Sequence, residues 1–251
     1  MRIARITTTY GPRSVVQEDN RWREIRDPFA GELEFTGVDH PIQGVRLLAP
    51  VQPTVVLGMA HNGSADQRVL PPQAFMKSAR TVTGPGDPIQ LNDHVGQVNV
   101  ETELAVVIRR TCRNLTAVEV PTAILGYTIG NDVTAADQVP LDDKMTQAKN
   151  GDGFTPIGPW IETELDPVRV PMTVEVNGIQ VAAADTAQLA WNITEQLVYL
   201  TSYLTLGAGD IILTGCPGTL APVKPGDVST LTIDGIGTLS NPVRSVPRHQ
   251  L

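Results

Sequence analysis

Glu101, Glu103 and Asp132 are three acids in surroundings that should not hold acids. Val100 to Ile108 is a run of β-branched and aliphatic residues without a breaker, which predicts a strand. Residues two apart in a strand point to the same face, roughly 6–7 Å from one another. Glu101 and Glu103 therefore project together, with Ala105 and Val107 continuing that face toward the interior. Ile124 to Ile129 predicts a second strand, which delivers Asp132 at its carboxyl end. If the three acids meet at about 4 Å, each pair repels by about 4 kcal/mol at an effective dielectric of 20. Three such pairs rival the whole stability of a domain, roughly 5–15 kcal/mol. A bound cation offsets that repulsion. An all-oxygen set suits a hard ion, Mg²⁺ first, with Mn²⁺ or Ca²⁺ as alternatives. Spacing alone leaves a plainer reading open, in which the two glutamates sit at the wet end of a strand and Asp132 caps a turn.

The wording around these acids narrows the choice. The Glu-x-Glu strand is followed by Leu125-Gly-Tyr-Thr-Ile-Gly-Asn-Asp-Val133. Other phrases run from about Val45 to Val243: Val45-Arg-Leu-Leu-Ala-Pro50, Gly84-Pro-Gly-Asp-Pro-Ile89, Phe154-Thr-Pro-Ile-Gly-Pro-Trp160, Gly209-Asp-Ile-Ile-Leu-Thr-Gly215 and Lys224-Pro-Gly-Asp227. In this order they resemble the fumarylacetoacetate hydrolase family. The resemblance implies an α+β, β-rich fold: a rolled mixed β-sheet with few helices over residues 49–251, preceded by a small N-terminal β domain over residues 1–48. It also implies a homodimeric, divalent-metal-dependent enzyme for a 2-oxo or enol carboxylate, with Glu101, Glu103 and Asp132 as the ligands.

The same resemblance assigns further site residues, and several of them depart from the family pattern. His61 looks like the histidine of the 2-hydroxyhepta-2,4-diene-1,7-dioate isomerase and homoprotocatechuate-pathway decarboxylase branch, with Ala60 in place of an Asn. Hydrolytic members carry a lid histidine that activates water, and Ser64 stands at that position. Ala136 replaces an arginine. Lys149, Asp152 and Phe154 match a Gly-Lys-x-x-Asp-x-Phe motif whose glycine is Ala148 here. A lysine near a divalent ion and an enolising substrate stabilises negative charge or relays a proton. Lys149 and His61 are thus the expected catalytic residues, set against plain readings as a surface lysine and a structural histidine. Lys77, in a Phe-x-Lys strand, faces either the site mouth or solvent. Thr214, Gly215 and Cys216 form a Gly/Pro turn expected to line the substrate site, along with Asp152. Cys216 reads as an inert packed thiol, since nothing nearby lowers its pKa. The reaction this implies is isomerisation or decarboxylation of a dicarboxylate such as a 2-hydroxyhepta-2,4-dienedioate or oxaloacetate. Acylpyruvate-type hydrolysis is the alternative, and a catalytically silent metal- and ligand-binding protein is the alternative of another class.

Composition sets the outer bounds. The 251 residues carry a formal net charge of −8 with no Lys/Arg run, and aromatics make up 4%. These features argue against nucleic acid. Two cysteines are too few for a disulfide framework, and no stretch approaches a membrane span, so the expectation is a cytoplasmic protein. Around the site, Asp66 to Gln73 predicts a loop or lid, Thr116 to Ile124 a short helix, and residues 133–148 a loop or short helix. Asn177-Gly178 predicts a type I′ hairpin. The clearest helix opens at Asn192 with Glu195 in a capping box, shows Ile193, Leu197, Leu200 and Leu204 as one stripe, and is expected to stop at Gly207.

Overall fold

The structure is a computed structural model and describes residues 1–246. The expected β-rich α+β architecture is what it shows. Among the described residues, one 14-stranded mixed sheet and one five-stranded sheet carry the fold, and the longest helix is Ile193–Tyr203. Val98–Ile108 lies inside the large sheet, flanked antiparallel by Ile124–Asn131 and by Ile211–Leu213. Beyond Ile211–Leu213 come Val56–Ala60, in parallel pairing, and the edge strand Gln73–Lys77. On the other side, Thr155–Glu162 joins Ile124–Asn131 to Arg2–Thr8, so the N-terminal strands extend the same sheet.

The alternation expected of Val98–Ile108 divides the core in two. Leu104, Val106 and Ile108 pack with Val174, Leu231 and Leu239 of the five-stranded sheet. Ala105 and Val107 pack on the opposite face with Val16, Ile157 and Leu213. Both faces are dry, which explains why the strand reads as a continuous aliphatic run once the acids are passed.

Local chemistry behaves as expected at the hairpin, where Asn177 and Gly178 have φ of 55° and 78°. The Asn192–Glu195 capping box forms in both directions. The helix ends earlier than expected: Leu204 is already extended at φ −135°, ψ 157°. Tertiary pairing takes precedence over the glycine stop, because Leu206 exchanges backbone hydrogen bonds with Cys112 at 2.9 and 3.0 Å. The Gly207 N–H instead donates to Asp210 at 2.6 Å. The stretch from Thr116 is helical only over Val120–Ala123. The lid stretch contains a 3-10 turn, Ala65–Val69, with no buried residue.

Candidate active site

The register of the central pair brings the acids together. Glu103 lies opposite Gly130 and Thr102 opposite Asn131, and the Asp132 N–H donates to the Glu101 carbonyl at 3.1 Å. A Cβ at Gly130 would lie 2.3 Å from Leu213 Cδ2, so any larger residue there would have to displace the Leu213 side chain. Asn131 completes the junction by accepting the Glu101 N–H at 3.1 Å. One oxygen from each of Glu101, Glu103 and Asp132 falls within 4.8 Å of the others. Glu103 and Asp132 are buried at 2% and 1% exposure.

Two lysines share the charge of this cluster. Lys77 Nζ donates to Asp132 Oδ1 and Lys149 Nζ to Asp132 Oδ2, each at 2.5 Å. Lys149 also donates to Thr134 Oγ1 at 2.6 Å, and Thr134 donates to Glu101 Oε1 at 2.7 Å. The repulsion expected from three bare carboxylates is therefore largely met by two ammonium groups, and with all five groups ionised the formal count leaves one negative charge.

The electrostatics follow from this geometry. Burial raises the Asp132 carboxyl, but Lys77 and Lys149 outweigh it and hold the group below its usual range. Burial pulls the Lys149 ammonium down, yet Asp132 and Glu101 together carry it above its usual value. Glu103 has no lysine in contact. Burial, Asp132 and Glu101 push its carboxyl well above the ordinary range, against the Gly215 N–H that donates to it at 2.7 Å and the charge of Lys149.

Hard oxygen donors converging from two strands fit a divalent ion of the Mg²⁺ or Mn²⁺ class. Each carboxylate oxygen offers two lone pairs, so Asp132 can keep both lysine bonds while ligating. The excess negative charge points the same way.

The cluster opens into a cavity of about 240 Å³ walled by Met59, His61, Phe75, Met145, Lys149 and Cys216, among others. Lys149 Nζ stands 4.7 Å from the Phe75 ring centroid. His61 is exposed at the mouth, in a turn with φ 52°. Burial, then Glu101 and Glu103, push the Cys216 thiol up to about 12, as an inert packed cysteine requires.

The other expected residues do not line the cavity. Lys77 is neither solvated nor at the mouth: its side chain is 0% exposed behind Asp132, with Val133 O a second acceptor at 3.3 Å. Thr214 is buried and donates to Leu104 O at 2.8 Å, which makes it a strut. The Gly215 amide is committed to Glu103 rather than to a substrate oxyanion. Asp152 is exposed on a turn and does not line the cavity; its backbone carbonyl accepts from Gln90 at 3.1 Å.

Three residues escaped the sequence reading. Thr134 relays between Lys149 and Glu101, and its position two beyond Asp132 was the available signal. Phe75, read only as part of a strand, forms the apolar wall. Asn62, buried at 2%, donates to Thr214 O at 2.6 Å and Trp191 O at 3.1 Å and accepts from the Trp191 N–H at 2.6 Å. It ties the His61 turn to the Thr214 turn and to the start of the Ile193–Tyr203 helix. Asn62→Ala strands those buried groups, at about 1–3 kcal/mol for each unsatisfied one. We expect a lower unfolding midpoint in urea with an unchanged m-value, and no shift of the midpoint would remove Asn62 as a strut.

Comparison with known proteins agrees with this geometry. Residues 48–244 match the fumarylacetoacetate (FAA) hydrolase C-terminal family, and residues 1–50 match the Rv2993c-like N-terminal family. A solved 5-carboxymethyl-2-hydroxymuconate delta-isomerase from Mycobacterium smegmatis is 40% identical, with a TM-score of 0.93 over 98% of this chain and 100% of that one. The mitochondrial oxaloacetate tautomerase fahd2 of Xenopus laevis is 32% identical over 79% of this chain and 68% of its own length. A maleylpyruvate hydrolase from Sphingobium sp. SYK-6, solved in complex with manganese (II) ion and pyruvate, is 26% identical at a TM-score of 0.80 over 98% and 99% of the two chains. Sequence match, superposable fold and converging acids lead to one conclusion: this chain belongs to the fumarylacetoacetate hydrolase family.

Proposed function

We propose that the chain is a divalent-metal-dependent enzyme that enolises a 2-oxo acid, or takes up its 2-hydroxydienoate form, and isomerises or decarboxylates it. The observation that carries this reading is the trio of carboxylates within 4.8 Å, set in a cavity whose walls include Lys149 and His61. When bound, a divalent ion supplies the Lewis acidity that lowers the cost of an enolate next to a carboxylate. Glu101, Glu103 and Asp132 hold that ion. Lys149, kept charged by Asp132 and Glu101, stabilises negative charge developing on the substrate oxygen and does not act as a base. His61 carries the proton between carbons. Phe75, Met59 and Met145 keep bulk water from the enolate.

Acylpyruvate hydrolysis is the second reading, favoured by the relatives that are hydrolases. It requires a base that activates water, and the Ser64 hydroxyl donates instead to the neighbouring Asp66 carboxylate. A panel of 2-oxo acids and acylpyruvates, followed by ultraviolet absorbance with products identified by NMR, separates the two. With Mn²⁺ or Mg²⁺ we expect tautomerase or decarboxylase turnover that a chelator abolishes and His61→Ala lowers by about 10²-fold. Rapid release of pyruvate and a free acid, without either activity, would reverse the choice.

A further inference from the structure

The sequence reading expects a dicarboxylate, and the distribution of charge around the cavity does not support one. Three carboxylates against two ammonium groups leave one negative charge, which a divalent ion converts into one positive charge. The carboxylate of a 2-oxo acid uses that up. Among the described residues, Lys149 is the one lysine or arginine lining the cavity, and it is already shared between Asp132 and Thr134. Lys77 is sealed behind Asp132. Arg68, the arginine of the 66–73 stretch, is held by both Glu195 oxygens at 2.5 and 3.1 Å and stacks 4.0 Å from the Trp191 ring centroid. Position 136 is alanine. A second substrate carboxylate brought into this cavity finds no lysine or arginine that is not already paired, and an unpaired charge away from water is costly.

The cavity has a continuation. A cleft of about 840 Å³ adjoins it and shares Ala60, His61, Phe75 and Met145 as walls. Beyond them it is lined by Pro72, Met76, Tyr199 and Tyr203; its one acid and one lysine, Asp143 and Lys144, are consecutive in the chain, exposed, and cancel in formal charge. Tyr203 and Met76 are 68% and 63% exposed, so an apolar and aromatic surface stands open next to the site.

We propose that the substrate of this chain carries an uncharged tail, which leaves the carboxylate cavity past His61, Phe75 and Met145 and lies in the adjoining cleft against Tyr199 and Tyr203. The inference rests on the 2-oxo acid reading above and narrows it to isomerisation, because loss of CO₂ to give an enolate needs a second carboxylate on the substrate. Two unreactive probes test it by calorimetry on the Mn²⁺-loaded protein: N-propyloxamate and N-carboxymethyloxamate, which differ in the charge of the tail. We expect the propyl compound to bind at least tenfold tighter, and Met145→Lys, which places a cation at the junction, to erase or reverse that ratio. Equal or tighter binding of the carboxymethyl compound by the wild type overturns the uncharged tail and leaves the 2-oxo acid reading standing. Failure of both oxamates to bind removes the reading and the inference together. An unchanged ratio in Met145→Lys overturns the proposed path of the tail.

Discussion

The wild-type protein should melt higher when Mn²⁺ or Mg²⁺ is added after chelator treatment, and Glu103→Gln should not. At an ion concentration one hundred times its dissociation constant, binding to the folded state contributes about 2.7 kcal/mol. For a chain of this size that is about 5–10 °C, taking about 2–4 °C for each kcal/mol. Glu103 is the informative ligand because it has no lysine in contact, so its loss leaves the Asp132 ion pairs intact. The same substitution should act in the opposite direction on the ion-free protein. The Glu103 carboxyl is raised in the folded state, so its ionisation disfavours folding. That penalty is absent below the unfolded carboxyl value near 4.5 and grows as pH rises above it. Glutamine keeps an acceptor for the Gly215 N–H and carries no charge. The ion-free variant should therefore melt above the ion-free wild type at pH 8, with the gap narrowing toward pH 5. An equal ion shift in both proteins would remove Glu103 as a ligand. A lower ion-free melting point for the variant would refute the electrostatic account.

Lys149→Met is expected to lower kcat by about 10²–10⁴ for whichever 2-oxo acid the protein accepts, while the ion-induced rise in melting temperature is kept or enlarged. The ammonium lines the cavity beside the carboxylates but also neutralises Asp132, so removing it leaves the cluster more negative and more attractive to a cation. Loss of turnover together with loss of the ion shift would mean that Lys149 holds the site together rather than serving the reaction. Differential scanning fluorimetry and steady-state rates on one preparation decide between them. Full turnover in the variant would exclude Lys149 from the chemistry.

Local patterning is enough to specify the central pair of strands and the acids they carry. Val98–Ile108 alternates as any half-polar, half-aliphatic strand must, and a two-residue period places Glu101 and Glu103 on one face with no help from the rest of the chain. The Asn177-Gly178 turn and the Asn192 cap are equally local, and both formed as read. What lay between residues far apart in the chain was not legible. Lys77 is 55 positions from Asp132, in a strand whose exposed neighbours Ala74 and Met76 say nothing about where its ammonium ends. A lysine stem reaches solvent or a buried acid equally well from one strand position, and only the packing of Gln73–Lys77 against Val56–Ala60 selects the acid. The same holds for Asn62, whose partners lie 129 and 152 positions away. It holds also for the Ile193–Tyr203 helix, which stops where Leu206 must pair with Cys112 and not where a glycine permits it. The carboxylates are legible because strand period is a property of neighbours. Their lysine counterions, their struts and the cleft beside them were decided by tertiary structure, because long-range contacts select among side-chain directions that local preference leaves equal in energy.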